Sequence, residues 1–108
     1  MKADNKADVK CWKCGRKRVI ISNKTEVQEW LRKMREAEEA GAERLIGGFI
    51  EVGENLVRVR HHSPVEIEVW GNGFPLEKRC WSRLCPYCME KRIDEIRNQK
   101  SEKSKLKL

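Results

Sequence analysis

Cys11-Trp12-Lys13-Cys14-Gly15 near one end of the chain and Cys85-Pro86-Tyr87-Cys88 near the other decide how this sequence folds. Each is a C-x-x-C pair, the spacing at which two thiolates on a tight turn or a first helical turn grip one metal ion. Two such pairs, roughly 70 residues apart, most simply make one tetrahedral four-cysteine site that ties the two end regions together. Zn2+ is the ion expected there. Four thiolates leave no open coordination position, so the site is structural rather than catalytic.

Local chemistry supports the placement. Gly15 can take positive φ, which lets the backbone fold back and aim N–H groups at sulfur. Pro86 suits the first position of a helix, where a missing N–H costs nothing. Cys88 then lies in the positive field of a helix N-terminus, which favours the thiolate. Cys80 is the fifth cysteine. It reads as a small buried residue on a strand, or as an alternative ligand.

Outward from these pairs, the segments alternate between sheet and helix patterns. Arg18–Ser22 is β-branched and reads as a strand. Thr25-Glu26-Val27-Gln28 has capping-box form. Val27, Trp30, Leu31 and Met34 follow at helical spacing, so a helix runs to about Ala40, stopped by Gly41. Phe49–Val52 and Leu56–Arg60 flank Gly53-Glu54-Asn55 as a hairpin with a three-residue loop. Val57 and Val59 face in, with Arg58 and Arg60 out. Val65–Trp70 alternates apolar with acidic residues, and Gly71-Asn72-Gly73 turns the chain toward a last strand, Leu76–Trp81. Met89, Ile93 and Ile96 give the terminal helix an apolar edge. The expected fold is α+β: a small antiparallel sheet of three to five strands with one packed helix. Residues 1–9 read as disordered, 10–98 as one metal-stabilised domain, and 99–108 as a basic flexible tail.

A C-x-x-C-G knuckle, a hairpin of Val65–Trp70 with Leu76–Trp81, and a second C-x-x-C opening a terminal helix resemble a treble-clef zinc finger. The resemblance covers about 45 residues, and the helix and strands between read as an insertion. It implies a treble-clef-like zinc site of four cysteines and a protein that binds nucleic acids or other proteins. Nuclease members of that family need further ligands on the helix, and no histidine is found there. His61 and His62 are the only histidines and read as a loop surface pair.

Other readings use the same cysteines. C-P-Y-C is also the active-site motif of glutaredoxins, although only 20 residues follow Cys88. Cys80, Cys85 and Cys88 have the spacing of a plant-type [2Fe–2S] ferredoxin, with a fourth ligand required from upstream. Unliganded thiols or disulfides are the third alternative.

Of 108 residues, 38% are charged and 39% hydrophobic, so the core is small. Domains of this size are marginal without reinforcement, which a structural metal provides. No apolar run is long enough for a membrane span, and no apolar leader opens the chain, so an intracellular, cytoplasmic protein is expected. The richness in Lys, Glu and Arg is that of thermophile proteins. The net charge is +7. Residues 11–24 hold Lys13, Arg16, Lys17, Arg18 and Lys24 and no acid, whereas residues 25–54 hold eight Glu against four basic residues. A shared metal would bring the two basic ends together, the electrostatic footprint of DNA or RNA binding. Candidate phosphate contacts are Lys13, Arg16, Lys17, Arg18, Lys91, Arg92 and Arg97. Trp12, Trp81 and Tyr87 lie beside the cysteines and are expected to pack around the metal as a small core; the alternative is that they are exposed and stack on bases. The rival partner is a protein or a second copy, joined through a sheet edge or face. No phosphate loop, nucleophile–base pair or carboxylate cluster stands out, so a binding protein is expected rather than an enzyme.

Overall fold

The computed structural model describes residues 6–61 and 64–106. Among these described residues, seven strands and two helices follow in chain order: β1 (Ala7–Cys11), β2 (Lys17–Ile21), α1 (Lys24–Glu39), β3 (Arg44–Leu45), β4 (Phe49–Val52), β5 (Asn55–Arg60), β6 (Glu66–Gly71), β7 (Leu76–Arg83) and α2 (Pro86–Leu106). A 3-10 turn, Ile46–Gly48, joins β3 to β4. The strands form one sheet in the order β3-β4-β5-β6-β2-β1-β7. The α+β class and the one helix packed on the sheet are as the sequence implies.

The sheet is larger than expected, and it is mixed. Every neighbouring pair is antiparallel except β1 and β7, which run parallel. The expected hairpin of Val65–Trp70 with Leu76–Trp81 does not form. β6 pairs with β5 and β2, and β7 pairs with β1 alone. The hairpin that the treble-clef resemblance implies is therefore absent among the described residues, and what remains of the expected motif is its cluster of four cysteines. The edge of β6 that such a hairpin needs is occupied by β2 over five residue pairs, Lys17–Gly71 to Ile21–Ile67, which leaves β7 to pair with β1.

Beginning at Ala7, β1 takes in residues 7–9, which the sequence pattern leaves outside the domain. Ala7 and Val9 are buried. α2 likewise continues as helix through 99–106, read above as tail. Residues 1–5 and 107–108, parts of those same end segments, lie outside the described residues, as does His62.

α1 is capped two residues earlier than the capping-box pattern indicates. The Asn23 side chain accepts from the N–H of Thr25 and of Glu26, at 3.0 and 3.2 Å. An Asn placed before the helix holds two otherwise orphaned donors at once. The β4–β5 turn has two residues, Gly53 and Glu54, not three, because Val52 pairs directly with Asn55.

The sheet buries apolar side chains on both faces. On one, Val27 and Met34 of α1 join Val19, Ile21, Ile50, Val57, Ile67 and Val69. On the other, Val9, Leu45, Phe49, Leu56 and Trp70 pack with Cys11, Cys85 and Cys88. This second core is the one that positions the site.

Candidate metal centre

Two turns deliver the four thiols. The first is the loop between β1 and β2. Cys11 ends β1, its N–H donates to the Arg16 carbonyl at 2.7 Å, and Gly15 returns an N–H to the Cys11 carbonyl at 3.0 Å. Gly15 sits at φ +84°, which only glycine adopts readily. The second is the start of α2. Cys85 immediately precedes Pro86, Cys88 lies in the first turn, and the Met89 N–H donates to the Cys85 carbonyl at 2.9 Å. The parallel β1–β7 ladder brings the two turns together. Cys11 aligns with Arg83, and the Trp12 N–H donates to the Arg83 carbonyl at 3.1 Å.

The sulfur atoms of Cys11, Cys14, Cys85 and Cys88 all lie within 4.8 Å of one another. A tetrahedron of sulfurs at the usual metal distance of about 2.3 Å has edges of about 3.8 Å. Cys14 and Cys85 are 3.5 Å apart, within that scale and too far for a disulfide. Cys11, Cys85 and Cys88 are buried, and Cys14 is the exposed member. Such a cluster can hold a metal ion through four thiolates.

Electrostatics around the sulfurs are uneven. Burial pushes Cys11 up, but N–H groups of Cys14, Cys85 and Lys13 outweigh it and hold this thiol down at about 6. Burial raises Cys85, with the neighbouring Cys14 adding to it. Cys88 is raised well above the ordinary thiol range, first by burial and then by its three sulfur neighbours. Thiols crowded this closely resist losing all their protons without a cation among them. Arg16 supplies one positive charge at the rim. Its Nη1 lies 3.5 Å from the Cys14 sulfur. Burial alone would lower the Arg16 pKa, but Cys14 and Cys85 overcome this and raise it.

Cys80 stands outside the sulfur cluster, half-buried on β7. The C-x4-C-x2-C iron–sulfur set is therefore not the set the fold assembles, and Cys80 is not placed to replace one of the four clustered cysteines as a ligand. The redox reading of C-P-Y-C requires two thiols, whereas the fold brings four together.

The expected phosphate contacts divide into three groups. Lys13, Arg16, Lys91 and Arg92 surround the sulfurs. Arg16 and Lys91 lie over the Tyr87 ring, at 5.3 and 4.6 Å from its centroid, and Lys13 lies 5.8 Å from that of Trp12. Lys13, Lys91 and Arg92 also line a narrow groove with Leu84, Cys88 and Glu95. Arg97 is exposed further along α2, and Lys17 is half-buried on β2. Arg18 is not available to a phosphate. Its guanidinium makes a bidentate pair with Asp8, at 3.1 and 2.8 Å, and approaches Glu68 at 4.0 Å.

Trp12 and Trp81 do not pack around the metal site as expected. They are 57% and 71% exposed, and Tyr87 is 37% exposed. The buried sulfurs pack instead with Val9, Leu45, Phe49, Leu56 and Trp70 of the second core. His61 is exposed.

Sequence reasoning missed one charged cluster. Glu68 lies on the second face of the sheet with only 4% exposure. It accepts from Arg58 at 2.5 Å and from the Trp70 indole N–H at 2.9 Å. Arg58 also donates to the Gly47 carbonyl at 3.1 Å and stacks over Phe49 at 4.5 Å. The signal was in the alternation: Arg58 and Glu68 are cross-strand partners, as are Arg60 and Glu66.

No protein-family model, no curated protein and no solved structure matches this chain. Among the described residues, no helix is long and apolar enough to cross a membrane.

Proposed function

We propose that this chain is a zinc-stabilised protein that binds single-stranded nucleic acid along the cationic rim of its four-cysteine centre. One observation carries the reading. Lys13, Arg16, Lys91 and Arg92 gather around one site, interleaved with the accessible rings of Trp12 and Tyr87. Cations that follow a backbone, beside rings that stack on bases, form the pattern for single strands. Zinc is favoured because four thiolates in tetrahedral reach suit a soft or borderline ion and leave no position for substrate. The same closed donor set supports a binding protein over an enzyme.

The test is fluorescence anisotropy with single-stranded DNA and RNA at several salt concentrations. Four phosphate contacts predict a log–log slope of about −2.8, or a roughly 50-fold loss of affinity for a fourfold rise in salt. Lys91→Glu with Arg92→Glu should flatten that slope by about half. Affinity that ignores salt would refute the reading.

A second reading, a protein-interaction module, draws on α2. Met89 and Ile96 are 40% and 43% exposed. The edge at β7 favours it less. Between the Ala7–Leu76 and Val9–Trp81 rungs, β7 has three more residues than β1. Such a bulge hinders the addition of a further strand. A stable dimer with no retention of nucleic acid would favour this second reading.

A further inference from the structure

Beside the metal centre, the second face of the sheet holds a concavity of about 480 Å³. The turn at Ile46 and Gly47 forms one wall. The start of α2 forms the opposite wall, through Leu84, Pro86 and Met89. A hydrogen bond closes one end, from the Ile46 N–H to Glu90 at 2.9 Å. Phe49, Trp70, Arg18, Arg58, Arg83 and Glu68 contribute to the lining; Arg58 pairs with the Glu68 carboxylate and Arg18 approaches it at 4.0 Å.

Three properties narrow the occupant. The volume lies in the range of small-ligand pockets, about 300–1,000 Å³. The walls are mainly apolar, and the planar Arg58 guanidinium on Phe49 offers a stacking surface of the kind bases use. The charge balance is cationic. Arg18 and Arg58 are committed to Asp8 and Glu68, but Arg83 is exposed and its guanidinium has no ion pair among the described residues. The favoured ligand thus has a flat, largely apolar body, N–H donors for the remaining acceptor positions of Glu68, and one anionic group for Arg83. A nucleotide has all three.

We infer that this concavity holds one unstacked nucleotide, with its base between Arg58 and Met89 and its phosphate at Arg83. The inference rests on the proposed nucleic-acid reading and gives it a specific subsite. Continuity supports it. Leu84 lines both this concavity and the groove formed by Lys13, Lys91 and Arg92, so a strand following the groove passes the pocket mouth.

The test uses the metal-loaded full chain and NMR of the Trp70 indole N–H, whose hydrogen bond to Glu68 places it at the pocket floor. Nucleoside monophosphates should shift this signal in a saturable way at millimolar concentration, and inorganic phosphate alone should not. Met89→Trp, which fills the space, and Arg83→Glu should each weaken the response at least roughly tenfold. Lys91→Glu with Arg92→Glu should leave it unchanged while weakening oligonucleotide affinity, which separates the pocket from the rim. The inference is overturned if no monophosphate moves the signal, if inorganic phosphate moves it equally, or if neither pocket variant alters the response.

Discussion

With zinc bound at the four thiols as proposed, its removal should lower the thermal midpoint of this protein by about 20 °C. Apparent binding energies for structural zinc begin at about 10 kcal/mol. Not all of that favours the folded state. Each C-x-x-C pair is local, so the unfolded chain can still hold an ion through two sulfurs, and any such binding subtracts from the gain. What folding adds is the meeting of the two pairs, 71 residues apart between Cys14 and Cys85. Assigning half of the binding energy to that step leaves about 5 kcal/mol. For a domain of this size, 1 kcal/mol moves the midpoint by about 4 °C. The assay is scanning calorimetry on zinc-loaded protein and on protein stripped by a thiol reagent with chelator, followed by zinc restoration. Single variants refine it. Cys85→Ser should approach the stripped state, because its sulfur is fully buried. Cys14→Ser should lose less, since water can replace a ligand at the exposed corner. Cys80→Ser should leave metal content unchanged. Loaded and stripped midpoints within about 2 °C of each other would refute a metal that links the two ends.

The charged cluster under the second face gives an ordering of variants. Arg58→Leu strands the buried Glu68 carboxylate and should cost about 3 kcal/mol in urea unfolding, whereas Glu68→Gln keeps the Trp70 contact and should cost less. The reverse ordering would mean that the pair is not held as described. Arg18 holds Asp8 below the ordinary carboxylate range, mainly through their hydrogen bonds. Its stabilising effect should be fully present above the unfolded value of about 3.9 and fade as pH falls through the lower folded value. The stability difference between native protein and Asp8→Asn should therefore close in acid, and a difference that grows in acid would contradict this pairing. Asn23→Ala removes the cap of α1 and should cost about 1 kcal/mol, read by denaturant midpoint. Arg16→Gln removes the cation beside Cys14 and should speed zinc loss to a chromogenic chelator, whereas Lys13→Gln should not.

Short-range chemistry made much of this molecule readable in advance. The α1 period, the β4–β5 turn and the two C-x-x-C turns are written in neighbouring residues, and each appears where its local pattern points. Pairings between distant segments were harder to read. Nothing within Val65–Trp70 says that its neighbours are β5 and β2 rather than the strand that follows it. A turn signal at Gly71-Asn72-Gly73 favours a hairpin, but β2 takes that edge of β6 and the following strand pairs with β1 instead. The same blindness hid the fate of Arg18. In sequence it belongs to a basic run, but in the sheet it lies across from Trp70 and beside Asp8. Trp12 and Trp81 were misplaced for the opposite reason. Aromatic size argues for burial, yet the places beside the buried sulfurs are already taken by Val9 and, from distant strands, by Leu45, Phe49, Leu56 and Trp70.

The metal centre and the second core are one structure. Cys11, Cys85 and Cys88 are counted among the same packed residues as Phe49, Leu56 and Trp70. One face of the sheet is covered by α1, while on the other the sulfur cluster and the first turn of α2 take the place of a second full helix. An ion at that point would fix the angle at which α2 leaves the sheet. That angle sets both the width of the concavity between Ile46 and Met89 and the alignment of Lys91 and Arg92 with Lys13. On the proposed function, loss of such an ion should therefore weaken binding at the rim and in the pocket together, even though no ligand is expected to touch the metal. The lever is geometric: metal-bound thiolates would hold the helix, and the helix carries the cations.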